Sequence, residues 1–455
     1  MSMATALGGG GGYGGGGDKA LRRPLLETLR LAWADPDIKQ RLMFVLGVFA
    51  VYALGVHIPV PIPGINPVAF EKLIEQNPFF SLINTFGGGG LKRISIFALG
   101  LNPYITSSII MQILTTALPN WKKEMKEGGE YARKQQNKRT RFLAVALCVA
   151  QGWGLLQLMG ATAGVGSMAI LTKMTVILFW TAGAMFILWL GEQISEKGIG
   201  NGVSLMIFAG ITISIPNMVS LVGTRVAEGI VPWWSVILLA ALFFGTTWAI
   251  VLFTVAQRRI PIQHLRRQIG TKMVGGATSY LPLTLNLAGV IPIIFAISLI
   301  YMPAQFAAMF QPNSPMHDLL MNVAKFTYPD FSSWQGWIGA VIYTLLIFFF
   351  TYFYTAIQYN VEDIADNLKR GGSFIPGVRP GKQTKDFLDA VISRITIVGA
   401  VFLAGIALTQ YIVPLFINIQ GVQVLFGTSL LIMVSVALET MRQIEANLLM
   451  KQYGQ

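Results

Sequence analysis

The chain alternates long apolar runs with shorter polar ones. Ten apolar runs lie at 40–58, 94–118, 142–159, 168–190, 203–222, 233–255, 281–310, 334–356, 388–413 and 424–441. A bilayer core about 30 Å thick needs about 20 such residues in helical form. Most of the ten reach that length, so the pattern predicts an all-α integral membrane protein with ten spans.

The polar runs give orientation. Arg22, Arg23, Arg30, Lys39 and Arg41 precede the first span, and Lys122, Lys123, Lys126, Arg133, Lys134, Lys138, Arg139 and Arg141 follow the second. Arg258, Arg259, Arg266, Arg267 and Lys272 follow the sixth, and Lys369, Arg370, Arg379, Lys382 and Lys385 the eighth. The loops at 160–167 and 414–423 carry no charge, while 223–232 and 311–333 hold Arg225 and Lys325 as their only Lys or Arg. Basic residues stay on the cytoplasmic side, so both termini are expected inside.

Composition supports this. Charged residues are 12% of the chain and hydrophobic ones 53%, against about 25% charged in a soluble domain. The net charge of +13 belongs to the cytoplasmic loops, where it orients helices and meets anionic lipid. Loops 256–280 and 357–387 are long enough to invite a soluble partner. The lone Cys148 excludes an intramolecular disulfide and a CxxC site. The first apolar run is span-length with no small-residue cleavage site beside it, which reads against a cleavable signal peptide. Residues 1–20 include a glycine run from Gly8 to Gly17 and read as a disordered tail. The GxGxxG match within them lacks the strand and helix of a nucleotide site.

Candidate chemistry is sparse. Lys173, Glu439 and Arg394 lie near span ends, and His57, His264 and His317 in loops or at ends. Proton and sodium relays depend on buried Asp, Glu or His, so the pattern argues against a coupled carrier. Gly427-Thr428-Ser429-Leu430 looks like an intramembrane serine-protease motif, but no mid-membrane histidine could activate Ser429 and no HExxH motif exists. No enzyme, cofactor or metal is expected.

What the spans carry instead is proline and small polar residues. Pro103 is expected to interrupt the second span, Pro216 the fifth, and Pro282, Pro292 and Pro303 the seventh, and broken backbone at depth borders protein or water. Leu101, Ile105, Ile109 and Gln112 share one helical face, with Ser108 and Thr115 adding polarity. Between the first two spans, Asn77-Pro78 starts a short helix over Phe79, Phe80, Leu82, Ile83 and Phe86, and Gly87 to Gly90 stop it. At roughly two turns it is too short to span and too apolar to lie in water, so it must tuck into the protein.

Six motifs, in this order and spacing, resemble one family. They are Pro61-Ile62-Pro63-Gly64-Ile65, Ser95-Ile96-Phe97-Ala98-Leu99-Gly100, Gly198-Ile199-Gly200-Asn201-Gly202, Asn286-Leu287-Ala288-Gly289-Val290-Ile291-Pro292, Phe374-Ile375-Pro376-Gly377-Val378-Arg379-Pro380-Gly381 and Gly427-Thr428-Ser429-Leu430-Leu431-Ile432. From about residue 20 onward the chain resembles SecY, the channel subunit of the bacterial Sec protein translocase. The resemblance implies ten helices in two inverted halves, 21–222 and 233–445, hinged at 223–232 around an hourglass pore, with a cytoplasmic tail at 446–455. It implies a pore ring of Leu101, Ile105, Ile207, Ile294 and Ile432, and a plug from Phe79 to Gly90. It implies a lateral gate between the second and seventh spans at Ser108, Gln112, Thr115 and Asn286. Arg258, Arg259 and Arg379 fall at positions that dock the SecA motor or the ribosome.

The partners so implied are SecE, SecG, SecA, the ribosome, signal peptides and nascent chains, with anionic lipids, SecD/SecF and a YidC-type insertase as accessories. The implied location is the bacterial plasma membrane. Four glycines after the plug suggest a loose plug, and Asn102 puts an amide near the constriction. The rival readings are a small-solute secondary transporter and a poreless insertase or scaffold.

Overall fold

Helices begin where polar runs end, at residues whose side chains satisfy the free amides of a first turn. Asp35 accepts hydrogen bonds from the amides of Asp37 (3.0 Å) and Ile38 (3.2 Å) ahead of Pro36. Asn201 accepts from Ser204 at 3.3 Å, Ser314 from His317 at 3.2 Å and Ser333 from Gly336 at 3.2 Å.

The structure is a computed structural model, and it describes residues 25–62, 70, 71, 74, 78–162, 169–264, 267–269, 272–274, 278–307, 309, 310, 314–331, 333–417 and 425–453. The expected tail at 1–20 lies outside the described residues. In chain order the elements are α1 (Leu25–Ala34), α2 (Pro36–Val56), α3 (Pro78–Phe86), α4 (Asn102–Ala117), α5 (Pro119–Glu127), α6 (Gly129–Thr162), α7 (Ile170–Lys197), α8 (Gly202–Ala227) and α9 (Trp233–Val255). Then come β1 (Gln257–His264), β2 (Arg267–Ile269), β3 (Lys272–Val274), β4 (Thr278–Thr284), α10 (Ile291–Ala307), α11 (Pro315–Thr327), α12 (Trp334–Gln358), α13 (Val361–Arg370), β5 (Ser373–Phe374), α14 (Lys382–Ile417) and α15 (Thr428–Tyr453).

A helix lies on each of the ten apolar runs. Six of these helices, α2, α7, α8, α9, α12 and α14, are long and apolar enough to cross a membrane by length and composition. By contrast, α4 has 16 residues and α10 has 17.

Three expectations are corrected. The run at 94–118 is helical only from Asn102, because Ile94 and Gly100 take positive φ (52° and 55°) and the chain there pairs with the end of the first span. Pro59 and Ser95 form an antiparallel bridge, with the Val60 amide donating to the Ile94 carbonyl at 2.8 Å. Pro103 therefore starts α4, in a first turn where a missing N–H costs nothing, and interrupts no helix. The mostly helical fold also carries a small sheet that run length does not predict. Ile260 and Ile262 alternate with exposed neighbours, a period of two, and β1 sits between β4 and β5 in an antiparallel sheet. Pro282 thus lies opposite Arg259 in the sheet, and the seventh helix waits until Ile291. Finally, α8 runs to Ala227, inside the expected hinge, and α15 runs to Tyr453, through most of the expected tail.

The first and last helices meet. Ala32, Ile38, Ile199 and Ile444 form a small buried cluster, beside which Lys451 Nζ reaches Asp35 at 2.8 Å and Asp37 at 2.5 Å. Elsewhere the interior holds no charge: among the described residues no Asp, Glu, Lys, Arg or His is buried, and the buried polar side chains outside tyrosine are Thr, Ser and Gln410.

Candidate functional site

Five aliphatic side chains, contributed by the start of α4 and by α8, α10 and α15, belong to one apolar cluster. Leu101, Ile207 and Ile432 are buried in it, and Ile105 and Ile294 pack against it half-buried. Phe86 from α3 packs on the same cluster, as do Val290 and Met433. Branched apolar groups gathered in this way exclude water by dewetting and offer no bond to anything that passes.

Ile105 and Ile294 also line a cleft that α3, α4 and α10 share. Ile83 and Phe86 wall it on one side, Asn102 and Thr106 on the second, and Ser298, Tyr301 and Gln305 on the third. Asn102 is therefore among the residues that line this cleft. Its neighbours there, Ser298 and Gln305, were not singled out by sequence, because a Ser and a Gln on an apolar helix carry no signal until the facing helix is known.

The short helix α3 is seated on α8. Phe80 and Thr85 are buried and Ile83 and Phe86 half-buried, whereas the side chains of Phe79 and Leu82 are outside the described set. Ser214 Oγ donates to the Thr85 carbonyl at 3.1 Å. A Cβ added at Gly210 would fall under 3.0 Å from the carbonyl carbon and oxygen of Phe86, so the two backbones touch. Neither Gly210 nor Ser214 stands out in the sequence.

The glycines after α3 form no slack hinge, which corrects the expectation of a loose plug. All four are buried. The amides of Gly87, Gly88, Gly89 and Gly90 donate to the carbonyls of Ile83, Thr85, Asn84 and Gly87, and the Lys92 amide donates to Asn84 Oδ1 at 2.8 Å. Gly88 and Gly89 take φ of +66° and +84°, which only glycine adopts without strain. The run is a packed turn.

Along the expected gate the polar residues divide. Gln112 Nε2 donates to Ser108 Oγ at 3.3 Å within α4. Thr115 accepts from Gln136 Nε2 of α6 at 3.3 Å, so it faces α6 and not α10. Asn286 lies ahead of α10, and its buried Oδ1 finds no partner among the described residues. The residues that do face each other between α4 and α10 are those of the cleft. Ser429 is buried beside Ser214 in a second cavity lined by Ile211, Phe243 and Met433. Nothing titratable lines it.

Arg258 and Arg259 are exposed neighbours on β1 and so point to opposite faces of the strand. Arg379 is exposed in the turn before α14, its carbonyl accepting from Thr384 Oγ1 at 2.9 Å. The sheet unites them, because Gln263 and His264 of β1 pair with Phe374 and Ser373 of β5. The His264 ring bridges Ser373 Oγ (2.7 Å) and Ser279 Oγ (3.0 Å). The two long loops are therefore one module over a common core of Ile260, Ile262, Ile375 and Leu388.

The sequence profile of the SecY family matches residues 95–441, a stretch holding all five cluster residues and the whole sheet. The chain belongs to the SecY family. The SecY protein translocase subunit of Staphylococcus aureus strain NCTC 8325 is 38% identical over 440 residues, covering 94% of this chain and 99% of that protein. The SecY subunit of Aquifex aeolicus is also 38% identical and covers 94% and 98%. Among solved structures, a protein-conducting channel aligns with a TM-score of 0.62 at 20% identity over 89% of this chain and 91% of that one. Canine Sec61 in a ribosome–channel complex aligns with a TM-score of 0.59 at 19% identity, over 89% and 91%. At such identities the likeness shows that the SecY fold is shared.

Proposed function

We propose that this chain is the channel-forming subunit of a Sec translocon: a passive pore that lets unfolded polypeptides cross a bacterial plasma membrane and lets apolar segments leave sideways into lipid. The observation that carries the reading is the convergence of Leu101, Ile105, Ile207, Ile294 and Ile432 in one apolar cluster with Phe86 against it. Such a ring seals against water and ions while making no specific bond to its cargo, which suits a pore for many sequences. In this reading the ten helices form two inverted halves joined at 228–232, both termini are cytoplasmic, and α3 with its glycine turn is the plug. Energy comes from partners. SecE and SecG complete the membrane part, and SecA or a ribosome docks on the sheet module.

The solute-carrier reading is not favoured. Coupled carriers need ionisable groups at depth, and none is buried among the described residues.

The α4–α10 seam is the proposed exit. Cysteines at Thr106 and Ser298, in a Cys148→Ser background, joined by a short cleavable crosslinker, should block export of a secreted precursor into reconstituted vesicles, and cleavage should restore it. Undiminished export with the crosslink complete would overturn the gate at this seam and the channel reading with it.

Arg379→Glu should leave the purified protein folded while abolishing motor-driven transport, because a reversed charge adds repulsion to lost attraction. Parental transport rates in the same vesicles would remove Arg379 from the docking surface.

A further inference from the structure

Helix α11 divides into three sectors. At about 100° per residue, His317, Met321 and Ala324 fall on one side, turned into the protein, with Ala324 buried and the others half-buried. Asp318, Asn322 and Lys325 fall on a second, exposed side. The third side is apolar yet uncovered: Met316 is 50% exposed, Leu319 58%, Val323 43% and Phe326 38%. A soluble helix has no use for that third sector. A helix lying in the plane of a membrane surface requires it.

The neighbouring helix supplies the depth. Phe326 meets the Trp334 ring edge-on, with centroids 5.8 Å apart, and Trp334 and Trp337 open α12 with 67% and 58% of their surface exposed. Tryptophan at the end of a membrane helix sits at headgroup level. From there the apolar stripe continues without a break down α12 through Ile338, Val341, Leu345 and Phe349, all exposed. The uncovered sector of α11 is thus the upper edge of a lipid-facing surface, at the end of α12 remote from the sheet.

We infer that α11 is an interfacial anchor whose Met316–Phe326 stripe lies in the headgroup boundary of the leaflet opposite the sheet module, with lipid as its occupant. The anchor is tied to the proposed gate helix. Thr327 Oγ1 donates to the Ile300 carbonyl of α10 at 3.3 Å, and the rings of Tyr328 and Tyr301 stand 5.8 Å apart. The lipid surface therefore holds the end of α10.

This inference rests on the membrane placement of α12, so the test includes α12. Full-length Cys148→Ser protein carrying Leu319→Cys, Asn322→Cys or Leu345→Cys is labelled with an environment-sensitive dye and placed in phosphatidylcholine–phosphatidylglycerol vesicles. Lipids bearing a nitroxide near the headgroup and aqueous iodide serve as quenchers. The dye at 319 should be quenched by the lipid and several-fold less by iodide than the dye at 322, which should behave in the opposite way. Equal iodide quenching at 319 and 322 would overturn the anchor. So would protection from iodide at 319 without lipid quenching, which would mean that protein covers the stripe. A dye at 345 open to iodide would overturn the membrane placement itself, a failure distinct from the first two.

Discussion

Ile105→Ser combined with Ile294→Ser should make the proposed channel conduct ions at rest. These two side chains border both the apolar cluster and the cleft between α3, α4 and α10, since each packs against the cluster that holds Leu101, Ile207 and Ile432 while lining the cleft. Two hydroxyls at that border favour water there, and a hydrated constriction loses its dewetting barrier. Planar bilayers containing the double variant should show resting current where the parent shows none. Either single variant should leak less, because one apolar face still disfavours water. A double variant as silent as its parent would disprove that these residues seal the pore.

Gly210→Ala unseats α3, the proposed plug. The methyl would clash with the Phe86 carbonyl, and overpacking of this kind costs about 1–3 kcal/mol, roughly fivefold to 150-fold in the seated fraction. The helix itself gains, since alanine is a better helix former than glycine by about 1 kcal/mol, so the fold survives while the contact is lost. Gly245→Ala in α9 is the matched control, with nothing within 4 Å of its added Cβ. A cysteine replacing Asn84 in α3, in a Cys148→Ser background, should react faster with a membrane-impermeant thiol reagent in the Gly210 variant than in the Gly245 one. Equal rates would show that α3 is not held at Gly210.

That contrast explains what the sequence conveyed and what it withheld. Gly210 and Gly245 look alike, each a glycine in an apolar helix, and only the position of α3 tells them apart. The helices themselves were legible from run length, and α3 from its Pro start and glycine stop. Ring membership was not legible from spacing, because aliphatic residues at helical intervals describe ordinary packing equally well. It came from resemblance. The resemblance puts Thr115 at the gate beside Gln112, yet the Gln136 amide of α6 takes it; which neighbour a helix face meets is decided elsewhere in the chain. The sheet escaped notice for the same reason. Ile260 and Ile262 offer too short an alternation to signal a strand, and the partner that completes His264 is 109 residues away.

The sheet ties the ends of several helices to one plate. β1 leaves α9 at Ala256, β4 leads toward α10 and pairs with β1, and the Leu285 amide donates to the Ala256 carbonyl at 2.9 Å, so the end of α9 and the approach to α10 are held side by side. β5 adds the connection between α12 and α14 to the same plate. In the proposed function, a partner docked on the exposed arginines of this plate would therefore reach the ends of α9, α10, α12 and α14 together.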